Sequence, residues 1–97
     1  MKGYLIANIE IRDPGAFEEY RQQVAPMIAR FGGRYLVRGG KLRNAEGDLK
    51  LKRLIILEFN SLAEAERFYD SPEYRPLIEL RKGCTVSDVI IAEGYAG

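Results

Sequence analysis

The sequence predicts an α+β fold: one four-stranded antiparallel sheet carrying its helices on one face. Three observations predict it. Four short segments each hold three or more consecutive apolar residues: Tyr4-Leu5-Ile6-Ala7, Tyr35-Leu36-Val37, Leu54-Ile55-Ile56-Leu57 and Val89-Ile90-Ile91-Ala92. All are too short for a helix and rich in residues that favour strands. Helical apolar spacing fills the gaps after the first and third of them. The runs are also unbroken rather than alternating, which means that both sheet faces are covered. Helices of this chain cover one face only, so a second copy of the same sheet is the expected cover for the other.

The first strand is expected from about Gly3 to Arg12. Asp13-Pro14 then reads as an N-cap followed by proline at the first helical position. Phe17, Tyr20, Val24, Met27 or Ile28, and Phe31 make an apolar stripe at three- and four-residue spacing. Pro26 sits inside it, so a kink or looser turn near Gln22 is expected. Gly32-Gly33 supplies the stop. The second strand is expected from Arg34 to Leu42, with a bulge or bend at Gly39-Gly40. Asn44-Ala45-Glu46-Gly47-Asp48 reads as a hairpin loop, and the third strand as Leu49 to Phe59. Ser61-Leu62-Ala63-Glu64 has capping-box spacing and opens a short helix with Leu62, Ala65, Phe68 and Tyr69 inward. Ser71-Pro72 breaks it and starts another, carrying Tyr74, Leu77, Ile78 and Arg81 and stopped by Gly83. The fourth strand is expected from Val86 to Glu93. Right-handed crossovers turn this βαββαβ order into a sheet of strand order 4-1-3-2, the ferredoxin-like plan. That plan serves many functions and assigns none.

Ninety-seven residues make one domain, residues 1–97, with a modest core. Fifteen Lys and Arg against 14 Asp and Glu leave a net charge of +1. Such a balance gives no long-range field for nucleic acid or an anionic membrane. No apolar run approaches the ~20 residues that span a bilayer. Met1-Lys2-Gly3-Tyr4 enters a strand pattern at once, without a signal-peptide core, so a cytoplasmic location is expected. The one cysteine, Cys84, forbids an internal disulfide and fits a reducing compartment. There is no histidine, which removes Ser-His and Cys-His nucleophile pairs, His-bearing zinc sites and the commonest general base. Neither a metal nor a cofactor is expected.

Several side chains have both a chemical and a structural reading. Arg38, beside Gly39 and Gly40, is either an anion clamp or a strand-end arginine paired with an acid. Glu58 interrupts an apolar run; it is either a catalytic acid or base with a shifted pKa, or a carboxylate bridged to an arginine on a neighbouring strand. Arg81 lies on the apolar side of its helix, where its stem can cover the core while its head reaches a cleft between helix and sheet. Tyr20, Tyr69 and Tyr74 sit at inward helical positions. With the arginines they suit an aromatic or carboxylate-bearing ligand; otherwise they are core residues with their hydroxyls at the rim. The candidate set is therefore Glu58 for catalysis and Arg38, Arg81 and Tyr69 for ligand binding. Cys84 follows a helix end, where nothing activates a thiol. With the loop centred near Glu46-Gly47, residue 38 should pair near 55 and residue 58 near 35. Arg38 and Glu58 are then about 10 Å apart along the strands.

The same strand and helix order builds RNA-recognition domains, but strand three lacks their aromatic signature and its open face is aliphatic. Four strands of about five residues give a face of about 300 Å² in projection. That lies at the upper limit for a patch that a monomer leaves in water. Ile6, Leu54 and Ile56 are expected on or near it.

Gly3-Tyr4, Phe31-Gly32-Gly33-Arg34-Tyr35-Leu36-Val37-Arg38-Gly39-Gly40, Glu58-Phe59, Ser71-Pro72-Glu73-Tyr74, Arg81 and Glu93-Gly94-Tyr95 together resemble the family of domain of unknown function 1330. The resemblance covers nearly the whole chain. It implies the dimeric α/β-barrel superfamily, in which two ferredoxin-like sheets face each other. Relatives there include cofactor-free monooxygenases, isomerase- or dehalogenase-like enzymes, heme-degrading enzymes and stress-induced proteins. The heme-degrading branch typically uses a histidine ligand, which this chain lacks. The family carries over no catalytic residue. The resulting expectation is a homodimer, joined through the sheet face, with a small-molecule cleft in each subunit. It is either a cofactor-independent enzyme acting on a small, carboxylate-bearing organic substrate or a non-catalytic binding or regulatory module.

Overall fold

A computed structural model of the chain describes residues 1–96. Its elements run β1 (Gly3–Ile11), α1 (Pro14–Arg30), β2 (Arg34–Arg38), β3 (Leu54–Phe59), α2 (Leu62–Tyr69), α3 (Arg75–Cys84) and β4 (Thr85–Glu93). The strands form one antiparallel sheet of order β2-β3-β1-β4, the expected ferredoxin-like order read from the other edge.

Local chemistry sets the element ends. The Asp13 carboxylate accepts from the Ala16 amide at 3.2 Å, and Pro14 follows as the first helical residue of α1. α1 stays helical through Pro26. It ends in a paired-amide stop, where Gly33 N donates to the Ile28 carbonyl at 2.9 Å and Gly32 N to Ala29 at 3.0 Å. Gly32 has φ +78°, the left-handed conformation such a stop requires. Ser61 caps α2 by accepting from the Glu64 amide at 3.1 Å. α3 runs one residue past the expected stop at Gly83, to Cys84.

The hairpin is shorter than the sequence suggests. β2 ends at Arg38 rather than Leu42, and β3 starts at Leu54 rather than Leu49. Leu42, Leu49 and Leu51 alternate with charged residues as a strand would, but Leu42 and Leu49 are exposed. The ladder is closed from the side: Asn8 Oδ1 accepts from the Lys52 amide at 2.8 Å, and Ile9 N donates to the Arg53 carbonyl at 2.9 Å. The turn chemistry is present, with Asn44 Nδ2 donating to the Gly47 carbonyl at 2.9 Å and Gly47 at φ +84°. The expected bulge falls at Leu36, between the pairs Tyr35–Leu57 and Val37–Ile56, while Gly39 makes a bend.

The two sheet faces differ. Leu5, Ala7 and Ile9 of β1 and Leu57 and Phe59 of β3 are buried under the helices with Phe17, Val24, Ile28, Phe68 and Leu77. Burying a side chain of this kind is worth ~1.5–3 kcal/mol. The other face presents Tyr4, Ile6 and Asn8, opposite Glu58, Ile56 and Leu54 on one side and Ala92, Ile90 and Asp88 on the other. No helix covers it. Ile6, Leu54 and Ile56 therefore lie where the sequence placed them.

Candidate functional site

A cleft opens between the helix layer and the inner face of the sheet. It is narrow, with a cavity volume of about 40 Å³. Leu5, Ala7, Leu57, Val24 and Phe68 make it apolar. Its polar lining consists of Arg21, Arg38, Arg53, Arg81, Tyr20, Tyr35 and Tyr74, with no carboxylate among them.

Arg81 is the buried arginine of the cleft. Leu77, Arg81 and Cys84 lie at positions i, i+4 and i+7 of α3, so one helix face carries all three inward. Arg81 is 3% exposed. Its Nε has no hydrogen-bond partner, and no acid pairs with it among the described residues. Its backbone is held: the Thr85 hydroxyl donates to the Arg81 carbonyl at 2.7 Å and the Cys84 thiol at 3.6 Å. A buried guanidinium without an acceptor is costly, which makes it the strongest indication of a ligand in the molecule.

Two hydroxyls stand nearby. Tyr20 from α1 and Tyr74 at the start of α3 are both buried, with their oxygens 2.6 Å apart. One must donate to the other, so one proton remains for a further acceptor. Burial holds both phenols above their ordinary value near 10, Tyr20 furthest. For Tyr74, the Arg81 charge and the bond from Tyr20 pull the other way and lose. Both therefore stay protonated donors at neutral pH.

At the mouth, Arg38 is exposed and its guanidinium lies 4.4 Å from the centroid of Tyr35. It forms no ion pair among the described residues. Burial raises the Tyr35 phenol against the pull of Arg38, Arg21 and Arg53. Arg21 is neutralised by Glu18, with Nε 3.1 Å from Oε2. Arg53 was not singled out from the sequence. It enters from the start of β3, with its Nε buried and unpartnered. The signal was there in the period of two: Arg53, Ile55 and Leu57 share the inner face.

Glu58 lies on the opposite side of the sheet. It accepts from Arg34 Nε at 2.8 Å and from the Tyr4 hydroxyl at 3.1 Å, and is bridged to Arg34 a second time through Nη2. Burial pushes its carboxyl up, but the bonds from Arg34 and Tyr4 and the charges of Arg34 and Lys2 outweigh that and hold it below the ordinary range. It pairs opposite Arg34, one residue from the expected partner, and Arg38 pairs opposite Ile55 as expected. The cleft thus gathers Arg38 and Arg81 but not Glu58. Tyr69 is also apart. It is half-buried beside Tyr74, with ring centroids 5.8 Å apart, in a shallow surface groove with Ile78 and Lys82. Cys84 is buried, which raises its thiol, and Asp13 adds to the effect. Among the described residues no three His, Cys, Asp or Glu side chains cluster as a metal site, and no helix is long and apolar enough to cross a membrane.

The fold is shared with solved structures at low identity. A protein of unknown function from Rhodopseudomonas palustris superposes with a TM-score of 0.75 at 19% identity, over 99% of this chain and 84% of that one. A mutant of SnoaB, a cofactor-independent oxygenase from Streptomyces nogalater, gives 0.72 at 17%, over 99% and 95%. A dimeric ferredoxin-like protein of unknown function from Jannaschia sp. CCS1 gives 0.60 at 13%, over 99% and 100%. These likenesses show the fold alone. No curated protein matches the chain. The model of the family described as domain of unknown function DUF1330 matches residues 2–95, and the chain belongs to that family.

Proposed function

We propose that the cleft binds a small organic anion, with its carboxylate or enolate oxygen on Arg81, and that two copies act together as a homodimer. The observation that carries this reading is the buried, unpaired guanidinium of Arg81 beside the Tyr20–Tyr74 hydroxyls. Donors without acids suit a ligand that brings only acceptor oxygens. The same donors would stabilise negative charge forming on a bound substrate, which is the help an enzyme without a cofactor can give. The likeness to a cofactor-independent oxygenase agrees with that chemistry.

A second reading, a binding module without catalysis, is favoured by one observation. No carboxylate lines the cleft to take a proton, and Glu58 faces the other side, ionised and tied to Arg34. In a dimer joined through the sheets, Glu58 would face the partner rather than the ligand. Our reading gives it a structural role. The dimer is supported by the uncovered face, where Leu36, Val86 and Ile90 are about half exposed, and by the dimeric protein of the same fold.

The test is a thermal-shift and titration screen with small aromatic and aliphatic monocarboxylates. At least one should stabilise the parent. Arg81→Met should stay folded and bind that anion about 10- to 100-fold more weakly, the worth of a charge-assisted hydrogen bond. Arg38→Ala should weaken binding less. A parent that binds none of them, or an Arg81→Met variant that binds as the parent does, would overturn the proposal. Recovery of the ligand unchanged after long incubation would decide for the binding module over the enzyme.

A further inference from the structure

Two guanidinium Nε atoms in this chain are buried without an acceptor among the described residues, and both belong to the cleft: Arg81 and Arg53. They come from different layers. Arg81 stands in the last turn of α3, which packs on β4. Arg53 precedes β3, which β1 separates from β4 in the sheet.

Arg53 is held in place. Its guanidinium lies against Gly39, where a Cβ would collide with it and where φ is +70°. On the other side it faces the Phe17 ring, 5.8 Å from the centroid. Its carbonyl is fixed by the Ile9 amide at 2.9 Å. Arg38 joins it at the mouth, carried by the residue before Gly39. The rest of the lining is apolar apart from tyrosines and Arg21, with Leu5, Ala7, Leu57 and Phe68 among it.

We infer that the ligand carries two anionic groups joined by an apolar body, one on Arg81 and the other on Arg53 with Arg38. The inference rests on the anion-binding reading above and narrows its substrate class. A single carboxylate on Arg81 would leave the Arg53 Nε buried and unpaired, and the cleft supplies no acid of its own to either arginine. Two anions, each on its own guanidinium, satisfy both, with the body against the apolar lining.

The experiment titrates the parent protein with linear dicarboxylates of increasing length, each beside the monocarboxylate of the same length. At one length the dicarboxylate should bind about tenfold or more tighter than its partner, since it gains a second charge-assisted pair. Arg53→Met should remove that advantage and keep monocarboxylate binding. Arg81→Met should weaken both, with circular dichroism showing each variant folded. Monocarboxylates that bind through Arg81 with no dicarboxylate advantage at any length would overturn the two-anion inference and leave the proposed function standing. Failure of both series to bind would overturn both.

Discussion

Among the described residues Arg81 has no counter-ion, and its position in the last turn of α3, where the helix dipole favours cations, offsets part of the cost of its burial. Replacing a buried charge by an apolar residue of similar volume is often neutral or stabilising. Arg81→Met is therefore expected to leave the unliganded protein as stable as the parent or ~1–3 kcal/mol more so, read from urea unfolding. A loss of that size instead would mark Arg81 as part of the packing. Its inward direction was legible in the sequence, because the helical spacing from Leu77 fixes it. Its lack of a partner was not, because spacing does not say which acids a fold leaves out of reach.

Among the elements, β2 is a five-residue edge strand. Glu58 ties it to the sheet, with Arg34 of β2 on one side and Tyr4 of β1 on the other, so one carboxylate joins three strands. Its pKa is held below the ordinary 4.5, so the unfolded chain takes up the proton first as pH falls. The stabilisation is full above about pH 5 and is lost as pH drops through the lowered native value. Glu58→Gln is expected to be less stable than the parent at neutral pH, with the difference shrinking in acid. A constant difference from neutral pH down to acid would show that the charge does not matter. The structural partner of Glu58 was legible to within one residue; the miss is the bulge, which no turn signal marks. The length of the hairpin was misread for a different reason. Alternating Leu and Lys at 49–52 fits a strand locally, but a strand needs a ladder partner and a face to cover, and Asn8 closes the ladder before either is available.

For the whole molecule, the strands and the uncovered face followed from the unbroken apolar runs, and the strand order from the βαββαβ sequence of elements with right-handed crossovers. The cleft was less legible. It needs Arg53 from the sheet and Arg81 from the helix layer to meet across the core, a tertiary fact. The uncovered face carries Ile6, Ile56 and Ile90 side by side across β1, β3 and β4. Ile90→Glu, placed on the half-exposed middle of it, is expected to give a folded monomer in light scattering at concentrations where the parent is a dimer. A parent of monomer mass at micromolar concentration would overturn the dimer, and a variant that stays dimeric would move the interface elsewhere.

Arg34 and Arg38 are four residues apart, an even number, so a regular strand would aim both at the same side. Leu36 is one residue more than β3 can match, and it reverses the count between them. Arg34 then turns outward to Glu58, and Arg38 turns inward to the mouth of the cleft. A single extra leucine divides two like side chains between two places, the edge of the sheet and the mouth of the cleft. Removing it would send both to one side, and cleft and edge could not both be served.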